Sequence, residues 1–187
     1  MSVKDLDKEQ IEKLVKAAQE GDTEAFGKIY DFYVEPIYRY LLFKVGNDEA
    51  MDLTENLFLK VWENLKAYQT GNLYFSSWIF KIAHNLVVDF YRLNKQTISL
   101  SIDVPDEKEH RDPVSLTEKV LGNKILAKAL SKLKKNYREV ILLKYINELD
   151  NREISRILRR GEGSLRILKF RALKALKQIL EEMDVHY

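Results

Sequence analysis

At 187 residues the chain is long enough for one large or two small domains, and a hydrophobic fraction of 45% lets each bury a core. The absence of cysteine excludes disulfides and thiolate metal sites, and three scattered histidines, His84, His110 and His186, do not make a ligand cluster. A net charge of +2 conceals an acidic middle and a basic final third. No apolar run reaches membrane-spanning length, and the start MSVKDLDKEQ has neither the basic lead nor the apolar core of a signal peptide, so a cytoplasmic protein is expected.

Only seven glycines and three prolines interrupt long stretches of 3.6-residue periodicity, which predicts an all-α protein of two small helical domains joined by a flexible linker. A first helix over residues 8–20 places Ile11, Leu14, Val15 and Ala18 on one face and stops at Gly21, after which Asp22 or Thr23 can cap the next. The second carries Phe26, Ile29, Tyr30, Tyr33, Ile37, Leu41 and Val45, and Pro36 is expected to bend or divide it. Gly46-Asn47 ends it, and Asp48 is the expected cap of a third helix in which Ala50, Leu53, Leu57, Val61 and Leu65 line one side beside Phe58 and Trp62. Gly71-Asn72 breaks the period, and Ser76 or Ser77 is expected to start a fourth helix containing Trp78, Ile79, Ile82, Ala83, Leu86, Val87 and Phe90. Its other side shows Lys81, Asn85, Asp89, Arg92 and Lys95 near Trp78 and Phe75. Aromatics interleaved with donors suit unstacked bases, although Trp78 taken alone reads more readily as core.

Residues 97–117 lose the period, include Pro105 and Pro113, and carry Asp103, Asp106, Glu107, Glu109 and Asp112, as an acidic linker or passive tether would. A helix from Glu118 to about Leu133 then opens the second domain. Residues 136–179 read as a helix, a tight turn and a longer basic helix. Val140, Ile141, Leu143, Ile154, Ile157 and Leu158 lie before the turn; Leu165, Leu168, Ala172, Leu173, Leu176 and Ile179 form an apolar stripe after it. Arg166, Lys169, Arg171, Lys174 and Lys177 face outward, and Arg152, Arg156, Arg159 and Arg160 crowd the turn. A solvated bundle face would mix signs there, whereas a helix-turn-helix in a major groove would gather cations where the phosphate backbone crosses.

Three segments in this order, DLTENLFLKVW (52–62), FSSWIFKIAHNLVVDFYR (75–92) and YREVILLKYINELDNREISRILRRGEGSLRILKFRALKAL (137–176), resemble bacterial RNA polymerase sigma factors of the extracytoplasmic-function type, which keep only regions two and four. The resemblance implies a region two domain over residues 8–96, the linker 97–117 and a region four domain over 118–182. It implies docking of the third helix on the clamp helices of the polymerase large subunit through Asp52, Leu53, Thr54, Phe58, Lys60 and Trp62; Glu55 and Asn56 depart mildly from the usual glutamine and acidic residue. Asn72, Phe75, Trp78, Lys81, Asn85, Asp89 and Arg92 fall in the element that melts and reads the minus-ten promoter box, where a flipped base enters a protein pocket. Glu162, Gly163, Ser164 and Arg166 match the end that reads the minus-thirty-five box as duplex, Lys169, Phe170 and Arg171 follow along the groove, and Arg152, Arg159 and Arg160 lie where the backbone passes. Arg159 stands where the family commonly has a turn glycine, and Gly161 where it has a capping serine or threonine.

The implied partners are core RNA polymerase and promoter DNA, duplex and melted; an anti-sigma partner is expected of the family, though no residue identifies one. No catalytic residue, cofactor or metal is expected. Two other readings stand beside this one: a helix-turn-helix regulator that binds duplex DNA without polymerase, which would not need the aromatic fourth helix, and an all-helical interaction protein.

Overall fold

The computed structural model describes residues 6–69, 74–100 and 124–183, except for the side chains of Asp48 and residues 95–100. Every regular element among them is helical, and the chain divides into two compact units, Met1–Arg111 and Asp112–Tyr187. Asn72, most of the acidic linker, and the expected helical start at Glu118 lie outside the described residues.

In the first unit, α1 (Lys8–Gln19) opens with a capping box. The Gln10 amide donates to Asp7 Oδ1 at 2.8 Å, and the Asp7 amide donates to Gln10 Oε1 at 2.8 Å. Gly21, at φ 104°, turns the chain in a conformation that costs glycine little, and Asp22 then caps α2 (Thr23–Val45) by accepting from the Ala25 amide at 3.0 Å. The second helix runs through Pro36 without dividing, which leaves bending as the remaining expectation there. Proline forfeits one backbone donor, but Tyr33, Ile37, Tyr40 and Leu41 around it are all at most 5% exposed, and their burial holds the helix together.

Gly46, at φ 100°, ends α2 and begins α3 (Asn47–Asn64) at once. Asp48 is therefore not the cap: it lies inside the first turn, and no side chain caps this helix. Asn47 instead accepts from the Tyr38 hydroxyl at 2.7 Å, which ties the turn to α2. A short 3-10 turn, Leu65–Ala67, follows α3.

The fourth helix, α4 (Phe75–Leu100), begins ahead of both candidate serines. Ser76 and Ser77 are buried rather than capping, and the helix continues through residues 97–100, the first four of the expected linker. The second helix lies at the centre of this unit and packs on the other three. Ile11, Val15, Ile29, Leu57, Val61, Ile79 and Phe80 form the fully enclosed core.

The second unit contains α5 (Lys124–Lys132), α6 (Lys135–Ile141), a π turn (Leu142–Ile146), α7 (Asn151–Leu158) and α8 (Glu162–Glu182). Arg138 closes the end of α5 by donating from Nε to the Leu130 carbonyl at 2.8 Å. A second capping box starts α7: Asp150 accepts from the Glu153 amide at 2.8 Å, and Glu153 Oε2 accepts from the Asp150 amide at 2.7 Å. The Asp-x-x-Glu spacing carries that signal, which the reading of the sequence passed over.

The long α8 packs on α5, α6 and α7 around Leu130, Val140, Leu142, Ile154, Ile157, Leu165 and Ala172. Leu173, expected in the buried stripe, is 42% exposed. It follows Ala172 by about 100° around the helix, and the stripe through Leu165, Leu168 and Ala172 leaves it at the edge.

Candidate nucleic-acid and partner interfaces

Where the end of α3 meets α4, a cleft of about 370 Å³ opens, lined by Lys60, Asn64, Ala67, Trp78, Ile82, Asn85, Leu86 and Asp89. Trp78, Ile82, Asn85 and Asp89 follow one another at helical spacing, so α4 presents them on one face. The half-buried Trp78 ring packs against Phe75 and Tyr68, with centroids 5.4 and 5.3 Å away. Asn64 donates to the Lys60 carbonyl at 2.8 Å, and Asp89 pairs with Arg92 at 3.2 Å. An aromatic wall, two amides, a carboxylate and a cation can together stack a planar heterocycle and hydrogen-bond its edge.

Three residues singled out from the sequence for minus-ten DNA, Trp78, Asn85 and Asp89, thus meet in one cleft, with Arg92 beside it. Lys81 is half-buried and does not line the cleft, and Asn72 is outside the described residues. Phe75 is a correction. It has no exposed surface, because it is enclosed by Tyr33, Tyr68 and Trp78, so it supports the cleft from beneath and cannot stack a base. Lys60 and Asn64 were missed as cleft residues, since nothing in the α3 sequence tells which part of α4 it will face.

Glu12, from α1, grips the base of this arrangement. Its carboxylate accepts from the Tyr68 hydroxyl at 2.9 Å and from the Phe75 amide at 2.8 Å. Burial, and after it the bond to Glu12, push the Tyr68 hydroxyl well above its ordinary range and keep it a donor.

The outer face of α3 is the second candidate surface. Asp52, Glu55, Asn56 and Lys60 are exposed, Leu53 is half-buried, and Trp62 is 45% exposed with its ring edge-on to Phe26 at 4.7 Å. Thr54 and Phe58 are corrected to packing residues. The Thr54 hydroxyl donates to the Ala50 carbonyl at 2.7 Å, and the Phe58 ring sits 4.6 Å from that of Tyr30. Met51 and Leu59, 54% and 64% exposed, take their place. Both fall out of phase with the buried Ala50, Leu57 and Val61, which was the available signal.

In the helix-turn-helix, Arg159 occupies the left-handed region at φ 52°, ψ 46°, the conformation a turn glycine would hold more cheaply. The Arg160 amide donates to the Ser155 carbonyl at 2.9 Å and the Ser155 hydroxyl donates to the Arg160 carbonyl, which stiffens the turn. Gly161 precedes α8 with no side-chain cap. Arg152, Arg159, Arg160, Glu162, Gly163, Ser164, Arg166, Phe170 and Arg171 are all exposed, Phe170 at 69%. Lys169 is different: half-buried, it donates to Asn151 Oδ1 at 2.7 Å and ties α8 to the start of α7. Among the described residues no group of acidic or histidine side chains could hold a metal, and no helix is long and apolar enough to cross a membrane.

Comparison with known proteins covers both units. Residues 29–97 match the Sigma-70 region 2 family and residues 123–176 the Sigma-70, region 4 family. The ECF RNA polymerase sigma factor SigW of Bacillus subtilis (strain 168) is 33% identical over 187 residues, covering 92% of this chain and 98% of the relative. BldN, an ECF RNA polymerase sigma factor of Streptomyces coelicolor, is 29% identical over 181 residues, covering 95% of this chain and 69% of the relative. Among solved structures, CnrH in complex with the cytosolic domain of CnrY gives a TM-score of 0.68 at 22% identity over 90% of this chain and 96% of that one. The sigma factor RpoE of Bartonella quintana, in complex with the anti-sigma factor NepR, gives 0.62 at 20% identity over 81% and 98%. Likenesses at that identity speak for the fold alone. Because region 2 is matched as well as region 4, a regulator acting without polymerase is not favoured. The chain belongs to the ECF RNA polymerase sigma factors, subunits that bind the core enzyme and direct promoter-specific initiation of transcription.

Proposed function

We propose that the two sigma functions divide between residues 8–96 and 118–182, with the linker 97–117 between them, and that the cleft between α3 and α4 captures an unstacked base of the minus-ten box. The observation that carries this reading is the meeting of Trp78, Asn85 and Asp89 in one cleft of about 370 Å³. Arg92 supplies a cation for the adjoining phosphate. The exposed residues of the helix-turn-helix hold the minus-thirty-five duplex. Arg152, Arg159 and Arg160 neutralise phosphates, and Glu162, Gly163, Ser164 and Arg166 meet base edges. The protein carries out no chemistry of its own and works in the cytoplasm, where polymerase and promoters are. An anti-sigma inhibitor belongs to this reading, since RpoE of Bartonella quintana, similar in fold, is held by one.

The cleft is tested by Asn85→Ala in holoenzyme. Permanganate reactivity of the minus-ten thymines should fall about tenfold, while binding to closed duplex is unchanged, because base capture follows docking. A footprint of normal intensity would refute the assignment.

Core docking is assigned to the outer face of α3, where acidic Asp52 and Glu55 accompany exposed Met51, Leu59 and Trp62. Asp52→Arg combined with Leu59→Ala should weaken core binding by about tenfold or more and leave helicity intact, neither side chain being buried. An unchanged titration against core polymerase would place docking elsewhere.

A further inference from the structure

Three side chains of α1 make long-range polar contacts within the first unit. Lys8 Nζ sits 4.1 Å from the centroid of the Tyr74 ring. Glu12 holds Tyr68 and the Phe75 amide as described above. Gln19 Nε2 donates to the carbonyls of both Leu65 and Tyr68, at 2.8 and 2.7 Å. Lys8, Glu12 and Gln19 stand four and seven residues apart, within about 40° on one side of the helix. Their partners are Leu65 and Tyr68 where α3 ends, and Tyr74 and Phe75 where α4 starts. The first helix therefore spans the two flanks of the α3-to-α4 connection.

We propose that α1 is a strap that positions the base-capturing face of α4, with Glu12 as its central positioning residue; this rests on the reading of the cleft given above. The physical chain is short. The Phe75 amide is one of the first-turn donors that a helix cannot satisfy internally, and a carboxylate there also meets the positive end of the helix dipole. The same carboxylate fixes Tyr68. Trp78, the aromatic wall of the cleft, leans on Tyr68 and Phe75 alike, so one side chain of α1 holds both supports of the ring that would stack on a base. Glu12 acts by holding the start of α4 and its aromatic footing in one place.

The test uses the full-length chain with core polymerase on a promoter, comparing Glu12→Ala, Glu12→Gln and Asn85→Ala. Glu12→Ala should lower permanganate reactivity of the minus-ten thymines about tenfold, with core affinity and the minus-thirty-five footprint unchanged. Glu12→Gln, which keeps an oxygen for the Phe75 amide, should recover most of the opening. In the free protein, amide exchange in the first turn of α4 should speed up about tenfold in the alanine variant and much less in the glutamine variant. Wild-type opening by Glu12→Ala beside a defective Asn85→Ala would overturn the strap while leaving the cleft reading intact. Normal opening by Asn85→Ala would overturn the cleft reading and the functional role of the strap with it. An opening defect in Glu12→Ala matched by an equal loss of core binding would reduce Glu12 to a general stability residue and overturn the proposal.

Discussion

Phe75→Ala should lower the thermal midpoint of the first unit by more than about 10 °C, the largest single-residue effect expected in this chain. Truncating an enclosed aromatic costs roughly 3 to 5 kcal/mol, a large share of the 5 to 15 kcal/mol that ordinarily holds a domain. The ring of Phe75 has no exposed surface and lies 5.6, 5.4 and 5.4 Å from those of Tyr33, Tyr68 and Trp78, so no neighbour can fill the space without leaving its own contacts. Trp78→Ala should cost less, because part of that ring already faces the cleft. Circular dichroism melts of the two variants decide the order; a Phe75→Ala midpoint within a degree or two of the parent would mean that the ring is not packed as described.

Arg166→Ala should change which promoters the protein chooses, by about 1 to 3 kcal/mol at one or two positions if its guanidinium meets a guanine edge in two hydrogen bonds. Arg159→Gly should behave in the opposite sense on stability. Glycine relieves the left-handed strain at φ 52°, so the second unit should gain about 1 kcal/mol while losing one cation from the turn. Its binding to every duplex should weaken alike, and the salt dependence should become shallower by roughly one unit of slope. Binding measured on a panel of single-base promoter variants at several salt concentrations separates the two behaviours. Uniform weakening by Arg166→Ala with unchanged base preference would show that α8 binds as a basic surface only.

Helices whose buried stripe keeps its period were legible from the residues alone: Ile11, Val15 and Ala18 of α1, or Leu165, Leu168 and Ala172 of α8, sit where their spacing puts them. Ends and exposures were harder to read. Gly46 takes a left-handed turn that begins α3 immediately, which pre-empted Asp48, and burial of Ser76 and Ser77 shifted the start of α4 to Phe75. Phe75 was misjudged for a related reason. An aromatic at a helix start can face either way, and here Tyr33 and Tyr68, one from α2 and one beyond the end of α3, close over it. The same limit hid Lys60 and Asn64, which join the cleft only once α3 has packed on α4. By contrast, the family resemblance marked Arg159 as standing at a usual turn glycine and Gly161 at a usual capping residue, and these positions are a left-handed residue and an uncapped helix start.

The contacts of α1 also impose a timetable on synthesis. Glu12 is separated by 56 residues from Tyr68 and by 63 from Phe75. At about 5 to 20 residues per second, a ribosome that has released Glu12 needs roughly 3 to 13 s more to deliver Phe75. Within that interval the nascent chain can pair α1 with α2, its immediate neighbour, but the native partners of Glu12 and Gln19 are not yet all made. Although α1 is made before α2, α3 and α4, its polar connections are complete only once the start of α4 has emerged.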